Sequence, residues 1–522
     1  AAPGPNWPTL ELRTNHIVLT NSCRLRISPG VVLQDPEGIG VVQIGASDIH
    51  IEFVDGSVLR GSPSQTPADQ YKGYGIRLNG HSGVTIGSAR INGFWCGIWA
   101  SKADSLVLEN IDASNNRHAR LKSTPEAEDE TDWLFGHEND EHQWLSNYAA
   151  AIYVEQSTNV TVRDCRASYG QNALCLDRVT GSKVYDNDFS FNSGWGIALW
   201  CSSRNVISRN AADFCVRGYS HGVYNRGQDS AGIFMFEQNN ENVVAENSVT
   251  HGGDGFFGFA GREAIGETGE HPVEWYRRRG NSDNVLIHND FSYATAHGIE
   301  NTFSFGNKYL ENRIVGNAIC GVWAGYSRET LIAGNHFEGN GEMGYGLERG
   351  GINIDHGGDN VIIQNLFVTN KCGVHLWGGP NPDFEKRLWA KANGYASTGS
   401  VIAGNEFRGD NLAFQFRGPG EVTLSSNRLV GVAKDMFDEP DYIVHLTNVP
   451  PTVPRPPQVQ VYGRNHPVGA RPELRGRQNI IMTEWGPWDH TTPLVRLLKS
   501  TGGTAVYEVL KIPVETVHLE IG

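Results

Sequence analysis

Three carboxylates and a tryptophan recur at matching places in successive short segments. Glu155 closes AIYVE (151–155), Asp177 closes ALCLD (173–177), Trp200 closes GIALW (196–200) and Glu237 closes GIFMFE (232–237). Two carboxyls held near one another, one protonated and one ionised, are what hydrolysis of a glycosidic bond requires. The spacing predicts Asp177 and Glu237 as acid and base, provided that the extra residue of GIFMFE is a bulge. Glu155 then tunes Asp177 by repulsion, and Glu300 is the reserve carboxylate. Segments two turns apart lie ~10 Å apart along a stack of strands. Side-chain lean brings such a pair toward the ~6.5–9.5 Å of an inverting enzyme, whereas Glu155 and Asp177 lie nearer the ~5 Å retaining distance. The residues leave both pairs open.

Long insertions carry the remaining candidates. Residues 117–149 hold Trp133, Trp144, His118, His137, His142 and a dense acidic run. The 217–230 insertion holds Tyr219, His221, Tyr224 and Arg226, with His221 and Arg226 set to meet substrate or leaving group. The 260–282 insertion adds Trp275 and Arg277-Arg278-Arg279, cations that suit an acidic sugar or a solvated loop. Aromatic rings with polar edges suit a sugar face, since C–H groups stack on them while hydroxyls are hydrogen-bonded. Trp200, Tyr153, Trp323 and His375 extend this set as substrate-binding residues. HENDEH (137–142) has two His among acids but lacks HExxH spacing, so a hydrated acidic loop is expected there and no metal or cofactor is assigned.

The elements that position these residues are strands. Segment starts at 151, 173, 196, 232 and 255 are 22, 23, 36 and 23 residues apart, a period in the twenties that marks a solenoid. Period-two alternation, with many Val, Ile, Phe, Asn and Gly, makes it β. Further units start at Gly40, Gly75, Gly97, Gly298, Gly321, Gly351, Gly373 and Leu412, about twelve coils in all. Residues +1 and +3 after the opening Gly or Ala face the core, while +2 and +4 face outward. The outward +4 column reads Asn79, Ser101, Glu155, Asp177, Trp200, Glu237, Asp355 and Trp377; the +2 column reads Tyr153, Glu300, Trp323, Asn353 and His375. Insertions 117–149, 217–230 and 338–350 precede this strand, and 260–282 and 378–398 follow it, so both sets wall one face into a groove. A second signature, as in NVTVRD and NVISRN, places Asn210, Asn247, Asn289, Asn335, Asn365, Asn405 and Asn427 at one turn, with Asp164 and Asp188 in the same place earlier. Stacked Asn side chains satisfy backbone groups that such a turn leaves unpaired.

The G-I-x-φ-x strand, the N-V-x-φ-x-x-N turn and the repeated Asn resemble those of right-handed parallel β-helix proteins. That superfamily includes pectate lyases, polygalacturonase-type glycoside hydrolases, alginate lyases and epimerases, phage tailspikes and NosD-like periplasmic proteins. The resemblance spans about residues 30–430 and speaks for fold more than function. It implies an all-β right-handed parallel β-helix over 36–430, after a leading segment 1–35. A Pro-rich connector (431–469) and a small C-terminal β region (470–522) follow, with end-capping the expected role of the last region. Ser220-His221-Gly222 is similar to one polygalacturonase motif, but the Asp pair is absent nearby, and the acidic calcium cluster of pectate lyases is not reproduced.

A formal charge of −15 argues against a nucleic-acid partner, and no apolar run reaches membrane length. Eight cysteines are few for 522 residues; Cys96, Cys320 and Cys372, each directly before a Gly, are expected inward and reduced. The start Ala1-Ala2-Pro3 suits a secreted or periplasmic chain. The expected function is therefore a glycoside hydrolase acting on a poly- or oligosaccharide. A uronate lyase or epimerase built on Tyr219–Arg226 is the alternative, though the acidic column disfavours it. A glycan-binding module without catalysis would need the aromatics alone. Four Met and inward Cys disfavour a metal-delivery protein.

Overall fold

The computed structural model describes residues 6–54, 56–138, 141–218, 227–343, 349–449 and 457–511. Alternation along the first strand stacks one inward apolar residue on its counterpart a rung away. Ile98 lies against Ile152, then Leu174, Ile197, Ile233 and Phe256, all in parallel register. Each is fully buried, and burying such a side chain contributes ~1.5–3 kcal/mol. The repeated unit builds a right-handed parallel β-helix of three sheets with 15, 16 and 5 strands. The ladder runs further than the sequence signature marks. Thr9–Glu11 and Ile17–Leu19 already pair into the two long sheets, and Tyr442–Thr447 closes one of them.

The corner after the second strand explains the repeated Asn. Arg209, Glu246, His288, Glu311, Gln364 and Ser426 have φ between 51 and 56°, and an Asn follows each. A left-handed residue costs ~1–2 kcal/mol, and the Asn side chains offset this by bonding across rungs. Nδ2 donates to the next Oδ1 at 2.9–3.0 Å from Asn187 through Asn210, Asn247, Asn289, Asn312, Asn335, Asn365 and Asn405 to Asn427. Asn187, not Asp188, holds the place in its coil. Cys165 stands where Asp164 was expected, its amide donating to Asn187 Oδ1 at 2.9 Å.

Residues 457–490 form a strap along the flank instead of covering the last rung. Residues 457–490 run back over the second-strand sheet, where the Arg464 and Asn465 amides donate to Asp186 at 2.9 Å. Arg471 pairs with buried Asp213, and the Tyr169 hydroxyl donates to Asp489 at 2.9 Å. Ile480 and Met482 pack with Leu121, Phe214 and Val216. The last rung keeps Ile443 and Leu446 exposed, at 55% and 78%. None of the eight cysteines is paired in a disulfide. Cys96 and Cys320 lie on the outer side beneath insertions, however, not in the central core. Among the described residues no helix is long and apolar enough to cross a membrane.

Candidate functional site

The register places Glu155 beside Asp177, Asp177 beside Trp200, and Trp200 beside Phe236. No bulge brings Glu237 into this column. It falls one residue past the strand, in a turn with φ 52°, and its carboxylate accepts the Trp200 indole N–H at 2.7 Å.

Insertion 117–149 lies flat over this part of the face. Its helix Trp144–Tyr148 drops Trp144, fully buried, onto Trp195, Trp200 and Phe234 at 4.7–5.3 Å between ring centroids. Trp200 and Tyr153 are buried under the same cover, so none of the three offers a face to a sugar. The expected catalytic Asp177 is corrected likewise. It is 0% exposed and spends its oxygens on Arg178 at 2.8 and 3.0 Å, His142 at 3.0 Å and the Tyr153 hydroxyl at 3.1 Å. Burial pushes its pKa up, but hydrogen bonds from His142 and Arg178 overcome that and hold it below the usual Asp value. An ionised, saturated carboxylate is an anchor and not a proton donor. Glu155, half-buried, accepts the Trp99 indole N–H at 3.0 Å and lies 3.8 Å from Arg178.

The two histidines of HENDEH go separate ways. His137 meets Asp229 at 2.8 Å and His142 meets Asp177, so the two histidines act as clasps, while Glu138 and Glu141 are exposed as a hydrated acidic run would be. Trp133 is half-buried, with its indole N–H on Glu128 at 2.9 Å. Trp275 is sandwiched between the His271 ring at 3.8 Å and Arg279 at 3.5 Å, which leaves no face for a sugar. Arg277 and Arg278 pair with Glu274, Asp283 and Glu329, so the basic run is neutralised locally. Insertions 260–282 and 378–398 dock on each other through Tyr276, Phe384 and Trp389 and form one wall, as expected of loops on that side. Tyr219, His221, Tyr224 and Arg226 lie outside the described residues.

The cover ends where His137 meets Phe257 and Phe259, with ring centroids 6.0 and 5.7 Å away. On the next rung stands Glu300, in register with Phe257 before it and Trp323 after it. Around it the structure assembles a cluster that the sequence reading missed in part. Asp254, His297 and Glu300 each bring one oxygen or nitrogen to within 4.8 Å of the others. The His297 backbone N–H donates to Asp254 at 2.8 Å, and its ring stacks on Trp323 at 5.3 Å. Burial pushes Asp254 well above the usual carboxylate range, and nearby Asp229 adds to this. Burial lowers His297 to about 3, so the imidazole is neutral. The Glu300 side chain keeps 15% exposure. Asn353 and His375 continue the Trp323 column, both buried.

Asp254 and His297 escaped the sequence reading because alternation breaks at the glycine after them. A Cβ on Gly298 would stand 2.7 Å from the Asn317 amide and 2.8 Å from Ile314. That glycine therefore already faces the interior and turns the preceding residue outward. Cys320 before Gly321 carries the same signal. The cluster has two chemical options. A carboxyl kept protonated by burial and a second carboxyl at this separation can share acid and nucleophile roles. A neutral His with two carboxylates can also accept a divalent cation. The other such group among the described residues, His16, Asp35 and Glu37, is committed elsewhere, since Asp35 accepts the N–H groups of Ile39, Gly40 and Tyr74.

No curated protein matches the sequence. Among solved structures, the mannuronan C-5 epimerase AlgE6 A-module of Azotobacter vinelandii is 13% identical with a TM-score of 0.32, over 86% of this chain and 92% of that one. DFA-IIIase from Arthrobacter chlorophenolicus A6 in complex with GF2 is 11% identical with a TM-score of 0.39, over 70% and 84%. The periplasmic alginate epimerase AlgG, in a double-mutant form, is 11% identical with a TM-score of 0.37, over 78% and 76%. Likeness at this level decides nothing about chemistry. The family model for a right handed beta helix region matches residues 74–268 and 268–387. With more than half of its length matched, the chain belongs to the right-handed β-helix family.

Proposed function

We propose that the protein is a carbohydrate-active enzyme, a glycoside hydrolase whose carboxyl pair is Asp254 and Glu300. The observation that carries this is their separation, within 4.8 Å, combined with unlike surroundings. Retaining enzymes hold the two groups ~5–5.5 Å apart. Asp254, kept protonated by burial, donates its proton to the leaving oxygen. Glu300, partly open to the groove, attacks the anomeric carbon and forms a glycosyl-enzyme. Asp254, now ionised, takes a proton from water as the water displaces Glu300. Neutral His297 spaces the pair without adding charge, and Trp323 offers a half-buried ring for the sugar's C–H face. Glu237 and Glu155 lie too far along the stack to join in: Glu237 is two rungs from Glu300, ~10 Å.

A lyase or epimerase has one observation in its favour, since a neutral His297 is in the form that a base needs. The assay separates the readings. Wild type, Glu300→Gln and Asp254→Asn are incubated with plant and algal polysaccharides, while reducing ends and unsaturated-uronate absorbance are followed. The expected result is new reducing ends without absorbance, lost ~10³-fold in either variant, and unaffected by a chelator. The rate should fall as pH rises through the raised Asp254 pKa, because the acid must be protonated. Absorbance would move the assignment to a lyase, and loss on chelation restored by a divalent cation would make the cluster a metal site.

A further inference from the structure

Insertion 378–398 borders a pocket of about 760 Å3 at the corner between the 15-stranded and 16-stranded sheets, toward the C-terminal end. Small-ligand sites span ~300–1,000 Å3. The pocket is walled by His356, Gly379, the Tyr395 ring, the Ser397 hydroxyl, Glu421 and Asp441. The floor is fixed: His356 meets Asp355 on one side and bonds the Gly379 carbonyl at 2.8 Å on the other. Tyr395 stacks on His356 with centroids 5.7 Å apart, and its hydroxyl is held by Glu385. An aromatic ring held this way is a platform for the C–H face of a pyranose.

Between this pocket and Glu300 runs a strip of polar atoms that no group among the described residues engages. Trp323 Nε1, both amide atoms of Asn353 and Trp377 Nε1 are buried without a hydrogen-bond partner among the described residues, and Asn353 is 0% exposed. A buried polar group left unpaired costs ~1–3 kcal/mol, so four such atoms on three consecutive rungs call for a partner from outside the protein. Rungs repeat every ~4.8 Å, comparable with the length of one sugar unit. The Trp377 and His356 rings, 6.3 Å apart, join the strip to the pocket. From the Glu300 rung to the middle of the pocket is three to four rungs, ~14–19 Å. Glu385, Glu421 and Asp441 all line the pocket, and against a chain charge of −15 they repel a uronate.

We infer that this pocket is a distal sugar subsite, and that the ligand is a neutral oligosaccharide of at least four units running from Glu300 over Trp323 and Trp377 into it. The inference rests on Glu300 marking the catalytic rung. Glu300→Gln, applied to an array of neutral and uronate-containing oligosaccharides of two to eight units, tests it by binding alone. Neutral chains of four or more units should bind at least tenfold more tightly than the matching disaccharides. Tyr395→Ala in that background should remove the gain and leave disaccharide binding intact. Asp441→Lys, at an exposed turn, should admit uronate-bearing chains and so guards against a Tyr395 variant that merely misfolds. Binding confined to uronates, binding indifferent to length or to Tyr395, or no binding at all overturns the inference. Cleavage is read separately. A Glu300→Gln protein that still hydrolyses would overturn the catalytic assignment, while the length and Tyr395 dependences would still report on the pocket.

Discussion

Two buried aspartates have opposite effects on stability. Asp177 has its folded pKa lowered, because bonds from His142 and Arg178 outweigh burial. Its contribution is therefore complete at neutral pH and is lost only as pH falls below the usual Asp range. Asp177→Asn keeps the shape but leaves Arg178 and His142 without their anion. It should cost about 2–4 kcal/mol in denaturant titration at pH 7, with activity per folded molecule changed only a few-fold. A thousandfold loss in a stably folded variant would return Asp177 to the chemistry. Asp410 ends a run of Asn, accepting the Asn370 side-chain N–H at 2.9 Å, but its second oxygen is buried without a partner. Burial raises it to about 6. A raised carboxylate binds its proton more tightly when folded, so stability falls as pH rises from the unfolded value through about 6. Asp410→Asn should add about 1–2 kcal/mol at pH 7.5, and should flatten the dependence between pH 4 and 6. No gain would mean that the unpaired oxygen is already satisfied.

At the scale of elements, local patterns were legible and docking was not. Alternation within GIENTF and GVWAG placed Glu300 and Trp323 on the outer face, where the structure has them. It failed for Asp254 and His297 because Gly255 and Gly298 each break the period, and a glycine's facing is set by what it must approach. It also failed for Glu237, where GIFMFE was read with a bulge and the strand has none. The larger failure concerns insertion 117–149. Its Trp, His and acids looked like a binding loop, yet they clamp the insertion down through His137–Asp229 and His142–Asp177. No local pattern says which of two apolar surfaces will meet, so the same rings that suit a sugar were consumed by the sheet. The wall made by 260–282 and 378–398 was foreseeable as loops on one side, but its mutual packing through Trp389 was not.

The molecule as a whole departs from a simple repeat array, in which each unit touches only its neighbours and the ends fray independently. The strap at 457–490 ties the C-terminal region to rungs near 121, 169, 186 and 213. A chain ending at Val449 would bare Leu121 and Phe214 and leave buried Asp213 without Arg471. Limited proteolysis should then cut within 117–149 at least ten times faster than in the full chain, and thermal unfolding should broaden into two steps. Equal rates and a single sharp transition would make the strap dispensable.

The strap also imposes a timetable on biosynthesis. Tyr169 and Asp489 are 320 residues apart, yet one hydrogen bond joins them. At ~5–20 residues per second, a ribosome needs tens of seconds to span that interval. Throughout it the Leu121 and Phe214 surface waits uncovered on rungs that can already be folded. A newly made chain therefore carries a transient apolar patch beside its half-finished cover, and holding chaperones or a neighbouring nascent copy would find it there before the strap does.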